Sequence, residues 1–190
     1  MITELEAISA TALAAAVKSK KISAVEVTQW YLNKIEQCNG EINAFTGVTS
    51  ERAMAKALAV DQAIASNADP GPLAGVPFSA KNLFDIAGEV TLAGSLINAD
   101  NPPADNDATS VARLCAAGAV CVGATNMGEY AYDFTTTNFH YGPTKNPLDH
   151  SRSAGGSSGG SAASVSAGMC KLSLGTDTNG SMRVPASFCG

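Results

Sequence analysis

The chain has 190 residues, 45% hydrophobic and 15% charged, with a net charge of −5 and a pI near 4.9. That is enough for one globular domain burying roughly 70% of its unfolded surface, and the composition excludes disorder. The acidic balance leaves no basic stripe for nucleic acid, and the longest apolar runs fall short of a membrane span. Glu4 and Glu6 precede an Ala-rich run and then "KSKK". A secretory signal has the opposite charge order, so a cytoplasmic location is expected.

The stretch "ISAVEVTQWYLNKIEQC" predicts a capped helix: Ser23 with Glu26 three residues on is a capping box, and Val27, Tyr31, Ile35 and Cys38 share one face. Trp30 and Tyr31 read as core anchors. "SERAMAKALAVDQAIAS" predicts a second helix, ended by the breaker "NADPGP". "LAGVPFSAKNLFDIAG" reads as a buried strand and the loop after it. "DATSVARLCAAGA" is a helix ending at Gly118, and "AVCVGAT" a short buried strand. Alternating helix and strand favours α/β layers. "FTTTNFHYGPTKNPLDHSRS" has no period and two prolines, so it is expected to be a long loop, and such loops in compact domains are usually functional.

The five cysteines (38, 115, 121, 170 and 189) form neither a CxxC pair nor a zinc spacing, and buried free thiols in a reducing compartment are expected. With Asn179-Gly180-Ser181 in a cytoplasmic chain, the glycosylation sequon is a chance match. Only His140 and His150 could serve as imidazole ligands, and no HExxH or paired-carboxylate spacing accompanies them, so no metal is expected. No Walker or dinucleotide fingerprint appears, and no cofactor is called for.

"SAGGSSGGSAA", residues 153–163, is either a flexible Gly/Ser linker or a loop shaped for close backbone approach. It satisfies G-x-S-x-G at Ser157, but a nucleophile elbow must follow a buried strand, and "DHSRSA" is not expected to form one. No histidine follows Ser157 either. A serine can instead use a neutral lysine as base if burial lowers the amine's pKa. Seven of the eight lysines lie in charged, polar or helix-surface contexts; Lys81, inside "VPFSAKNLF", is the exception. It is either paired, or neutral and functional. "LGTDTNGSMRVPAS" places Thr178, Asn179 and Gly180 directly before Ser181, a turn-prone stretch whose N–H groups could converge as an oxyanion hole. Asp177 and Arg183 are expected to pair and brace it.

"GGSSGGSAASVSAG" followed by "LGTDTNGSMRVPASFCG" resembles the signature of the amidase signature family, and the likeness extends to "LAGVPFSAKNLFD", "GATNMGEYAYDFTT" and "YGPTKNPLDHSRSAGGSSGGS". Four blocks in order are far more specific than one Gly-rich match. The resemblance implies a mixed-sheet α/β/α fold and a Ser–cis-Ser–Lys triad. By position Ser181 would be the acyl-forming nucleophile, Ser157 the proton relay with a cis bond expected to Ser158, and Lys81 the base. It also implies that the Gly/Ser run is no linker, since its glycines let the backbone pass close to Ser181.

Asn82 and Asn179 depart from the common family pattern and resemble the branch of 1-carboxybiuret hydrolases. The branch implies a small urea-like amide or carboxamide as substrate and a small accessory protein subunit; a homo-oligomer is a further expectation. Asn179, Tyr132 and His140 are candidate specificity contacts, with a structural loop role as the alternative. Family members are more than twice this length, so the 190 residues resemble the N-terminal portion of one such domain. Two other functions stay open: an A-type amidotransferase subunit using the same triad, and a truncated, non-catalytic binding module.

Overall fold

The structure, a computed structural model, describes residues 5–190. Glu4, named above for its charge, lies outside the described residues. Helices α1 (Ala10–Lys18), α2 (Ala24–Ile42) and α3 (Ser50–Ala65) lead the chain, with strand β1 (Phe45–Val48) between α2 and α3. The capping box closes as expected: Ser23 Oγ accepts the Glu26 N–H while Glu26 accepts the Ser23 N–H, satisfying two donors that a helix start leaves open. Val27, Tyr31 and Ile35 are buried, whereas Trp30 and Cys38 are only partly so. The Tyr31 hydroxyl donates to the Leu5 carbonyl at 2.8 Å, so the ring is buried without leaving its polar end unpaired. Asn43 ends α2 in the left-handed region, φ 57°.

Strand β2 (Pro77–Lys81) is buried along its whole length, as is β3 (Val120–Thr125), and helix α4 (Thr109–Ala116) precedes β3. Helix α5 (Gly159–Ser166), strand β8 (Leu172–Leu174) and helix α6 (Arg183–Cys189) follow. The sheet runs β1-β3-β2-β8, with β1 antiparallel to β3 and the other pairs parallel. It is the mixed sheet that the resemblance implied. Val120 and Val122 join the apolar core of α1–α3, while Phe78, Ala80 and Cys121 join a smaller core with Val111 of α4. Side chains alternate along a strand. Ser79 and Lys81 therefore point away from the Phe78–Ala80 core, toward α5, and Ser79 Oγ meets Ser164 Oγ of that helix at 3.1 Å.

Residues 134–153 are more ordered than the aperiodic sequence predicts. They hold two small antiparallel ladders, β4 (Thr137–Asn138) with β5 (Gly142–Pro143), and β6 (Lys145–Asn146) with β7 (Asp149–Ser153). Two-residue strands are too short to show a period. Asn138 closes the first turn instead, its Oδ1 accepting the N–H groups of His140 and Tyr141. Residues 149–153 thus do form a strand before the Gly/Ser run, but an exposed one. The nucleophile-elbow reading fails on burial, not on the lack of a strand. All five cysteines are free; Cys121, Cys170 and Cys189 are buried, and Cys38 and Cys115 half-buried. Among the described residues no helix is long and apolar enough to cross a membrane.

Candidate active site

Strand alternation delivers Lys81, fully buried, beneath the bend that opens α5. Its Nζ lies 2.8 Å from Ser157 Oγ and 2.8 Å from Thr176 Oγ1. Both partners are neutral hydroxyls, so nothing in contact with the amine compensates its burial as an ammonium. Desolvation pulls its pKa down from the ordinary lysine value to about 8, while Asp133 and Asp177 pull the other way. Of the two readings of this lysine, paired or neutral, the surroundings favour the second: no carboxylate pairs with it among the described residues.

Ser157 is fully buried, and its carbonyl accepts the Gly128 N–H at 3.0 Å. A non-proline cis peptide bond is present, but it joins Gly156 to Ser157. The expected position, between Ser157 and Ser158, is therefore off by one bond: the serine follows the cis bond instead of preceding it. The Gly/Ser run is anything but a free linker. Residues 154–161 are buried, and a Cβ on Gly160 would overlap the carbonyl oxygens of Ala44 and Asn126. Ser158 N–H donates to the Ser181 carbonyl at 3.1 Å and Ser158 Oγ to the Thr176 carbonyl at 3.2 Å, which fastens the run to the segment after β8.

Ser181 is 6% exposed at the start of α6, its backbone held against the run that carries Ser157. Asp177 organises the turn before it. Its carboxylate accepts the N–H groups of Gly180, Met182 and Arg183 and meets the Arg183 guanidinium at 2.9 and 3.1 Å. The Arg183 pair and these bonds hold Asp177 well below the usual carboxylate range. The expected bracing pair is present. It also alters the expected oxyanion hole, because Gly180 N–H is already committed to Asp177. Thr178, Asn179 and Ser181 retain N–H groups that donate to no partner among the described residues.

None of the three candidate specificity side chains hydrogen-bonds to Lys81, Ser157 or Ser181 among the described residues, although Asn179 lies in the turn just before Ser181. Tyr132 is 95% exposed, and Asn179 is exposed too. His140 Nε2 is engaged by Glu129 at 3.1 Å. Asn82 plays a structural part, since its Oδ1 accepts the Leu92 N–H and its Nδ2 donates to Thr46, tying the chain after β2 to β1. Two residues went unremarked in sequence. Thr176, in "GTDTNGS", is the second acceptor of Lys81; Asp133, in "GEYAYDFTT", lies against Gly128 and Gly156. Among the described residues no three His, Cys, Asp or Glu side chains group as metal ligands.

The family profile described as Amidase matches residues 26–190. The chain belongs to the amidase family. It is 57% identical over 174 residues to AtzE, the 1-carboxybiuret hydrolase subunit of Pseudomonas sp. (strain ADP), covering 92% of this chain and 38% of that protein. It is 49% identical over 178 residues to the A-type subunit of the glutamyl-tRNA(Gln) amidotransferase of Methylobacillus flagellatus, covering 94% of this chain and 36% of that one. Among solved structures, an s-triazine catabolic enzyme from a vestigial protein complex superposes with TM-score 0.95 at 54% identity, covering 96% of this chain and 40% of its own. A bacterial aryl acylamidase of the amidase signature family superposes at 0.90 with 37% identity, covering 94% and 37%. The chain thus spans about two fifths of the length of these relatives.

Proposed function

We propose that these residues are part of one amidase signature domain, and that they carry the Ser181–Ser157–Lys81 relay of an amide hydrolase. The observation that carries the reading is the 2.8 Å contact between Ser157 and a buried lysine whose pKa desolvation lowers. Neutral Lys81 takes the Ser157 proton as Ser157 takes that of Ser181, and Ser181 Oγ attacks the amide carbon. The N–H groups of Thr178, Asn179 and Ser181 receive the developing oxyanion. The relay then returns the proton to the departing ammonia or amine, the C–N bond breaks, and water releases the acid from the acyl-serine. Every group named belongs to the chain, so the sequence of steps draws on no cofactor.

The likeness to the 1-carboxybiuret hydrolase subunit supports a small urea-like substrate, 1-carboxybiuret among them, in cyanuric acid breakdown. That relative is itself a subunit, and the s-triazine enzyme was solved in a protein complex, which supports a small accessory partner. Five free cysteines suit a cytoplasmic setting. A second reading, the A-type subunit of a tRNA-dependent amidotransferase, is favoured by the 49% identity to one.

Labelling with a fluorophosphonate, followed by mapping of the modified peptide, tests the relay. Adduct at Ser181 is expected, with the rate falling about 100-fold or more in Lys81→Ala. Labelling that survives Lys81→Ala unchanged, or that lands elsewhere in Ser181→Ala and wild type alike, overturns it. Ammonia release from small amides without a glutaminase partner separates hydrolase from amidotransferase.

A further inference from the structure

One carboxylate beside the site has no part in the relay. Asp133 lies in the loop before β4, and its Oδ1 accepts the N–H groups of Thr135 and Thr136, both at 2.9 Å. This loop is pressed onto the bend that carries Ser157. A Cβ on Gly156 would come 2.7 Å from Asp133 Oδ1, 2.6 Å from Thr136 N and 2.7 Å from Thr135 N. A Cβ on Gly128 would collide with the Asp133 carboxylate itself. Both glycines hold Ser157: Gly156 precedes it, and Gly128 N–H binds its carbonyl at 3.0 Å. Thr136 Oγ1 adds a third tie, accepting the Gly159 N–H at 3.0 Å.

The charge balance around Lys81 sets Asp133 apart. From β3 comes Thr125, in register with Lys81; from the bend before α5 comes Ser157; from the segment after β8 come Thr176 and Asp177, with Arg183 of α6. Asp177 is neutralised by Arg183 at 2.9 Å, whereas no cation pairs with Asp133 among the described residues. Both carboxylates oppose the fall in the Lys81 pKa, and Asp133 does so more than Asp177.

We propose that Asp133 is a positioning residue of the Lys81–Ser157 relay: its carboxylate shapes the 133–136 loop that packs on the Gly156–Ser157 bend and sets an unneutralised negative charge against the bend that carries the lysine's serine partner. The inference rests on the reading of Lys81 as the base. Its consequence is a ceiling on how far burial can depress that amine, and hence the lower pH limit at which Ser181 is activated. Removing the charge drops the Lys81 pKa further, so the neutral amine persists to lower pH.

The test is direct titration of the Lys81 side chain by 13C NMR of lysine-labelled chain, the resonance assigned by its absence in Lys81→Met. Asp133→Asn and Asp133→Ser both keep an acceptor for Thr135 and Thr136 while removing the charge; Asp133→Glu keeps the charge. The midpoint is expected to fall by about 0.5–1 pH unit in the Asn and Ser variants and to stay near wild type in Glu. The acid limb of Ser181 labelling should move down with it. A midpoint unmoved in whichever neutral variants fold, or moved equally in Glu, overturns the proposal, since a purely structural loop residue changes rates without shifting the titration. A wild-type Lys81 titrating near the ordinary lysine value would instead sink the relay reading, while leaving the difference between variants readable.

Discussion

The helical flank of α1–α3 and the seam between β2, α5 and the segment after β8 are both buried, but by opposite means. The flank closes on Leu13, Val17, Val27, Tyr31, Ile35, Ala53, Ala57 and Val60, and its stability scales with apolar area. The seam buries Ser79, Lys81, Thr125, Ser157, Ser158, Ser161 and Ser164. Their hydroxyls satisfy one another: Thr125 meets Ser161 at 2.9 Å, and Ser79 meets Ser173 at 2.8 Å. Glycines let the backbones approach closely enough for these bonds to form. The flank tolerates variation in side chain so long as volume is kept. The seam tolerates less at its glycines, because there, as at Gly160, backbone packs directly on backbone.

Gly160 probes the contrast most strongly. Gly160→Ala puts a methyl against the Ala44 and Asn126 backbone, which cannot yield. A loss of about 3 kcal/mol or more in urea unfolding is expected, at the upper end for overpacking. A variant as stable as wild type would show that the seam can shift.

The charge held in the seam gives the next effect. Burial depresses the Lys81 pKa to about 8 from an unfolded value near 10.5, so the unfolded chain binds more protons between those values. The cost is fully present below pH 8 and relieved as pH rises toward 10.5. Measured against Lys81→Met, wild type should gain roughly 2–3 kcal/mol of stability across that window. A constant difference between the two would mean that the amine is not depressed.

The smallest effect belongs to the flank. Gly40 lies in α2 with nothing within 4 Å of an added Cβ. Gly40→Ala should raise stability by about 0.5–1 kcal/mol, read as a higher melting temperature. Destabilisation there would place hidden demands on the flank and blunt the contrast.

The same division governs what could be read from sequence. The flank was legible because its signals are local: Ser23 and Glu26 announce the start of α2, and Val27, Tyr31 and Ile35 fall at helical spacing. The β2 and β3 strands announced themselves as short apolar runs, and Asp177 with Arg183 lies within two turns of chain. In the seam the residues themselves marked a lysine among apolar neighbours, a Gly/Ser run open to two readings, and a turn-prone stretch before Ser181. The partners that define the chemistry of Lys81 lie 76 and 95 residues away and are plain hydroxyls, common in any sequence. The ladders at 137–153 are too short to leave a period, and their turn is set by Asn138, one asparagine among several. Asp133 reads as an ordinary loop residue until the glycines it presses on are known. The four family blocks supplied what periodicity could not.

Those long separations bear on how the site comes into being. Loop-closure entropy opposes distant contacts until they form, so helices α1–α3 can condense from near neighbours while the seam waits on residues 157 and 176. On a ribosome, Lys81 is made long before Ser157 and Thr176 exist to receive it. Until they arrive nothing buries its amine against them, and a hydrated lysine keeps its charge at neutral pH. On the relay reading proposed above, the contacts that would prime a serine form only once these distant partners have been made, after the helical flank has had time to condense.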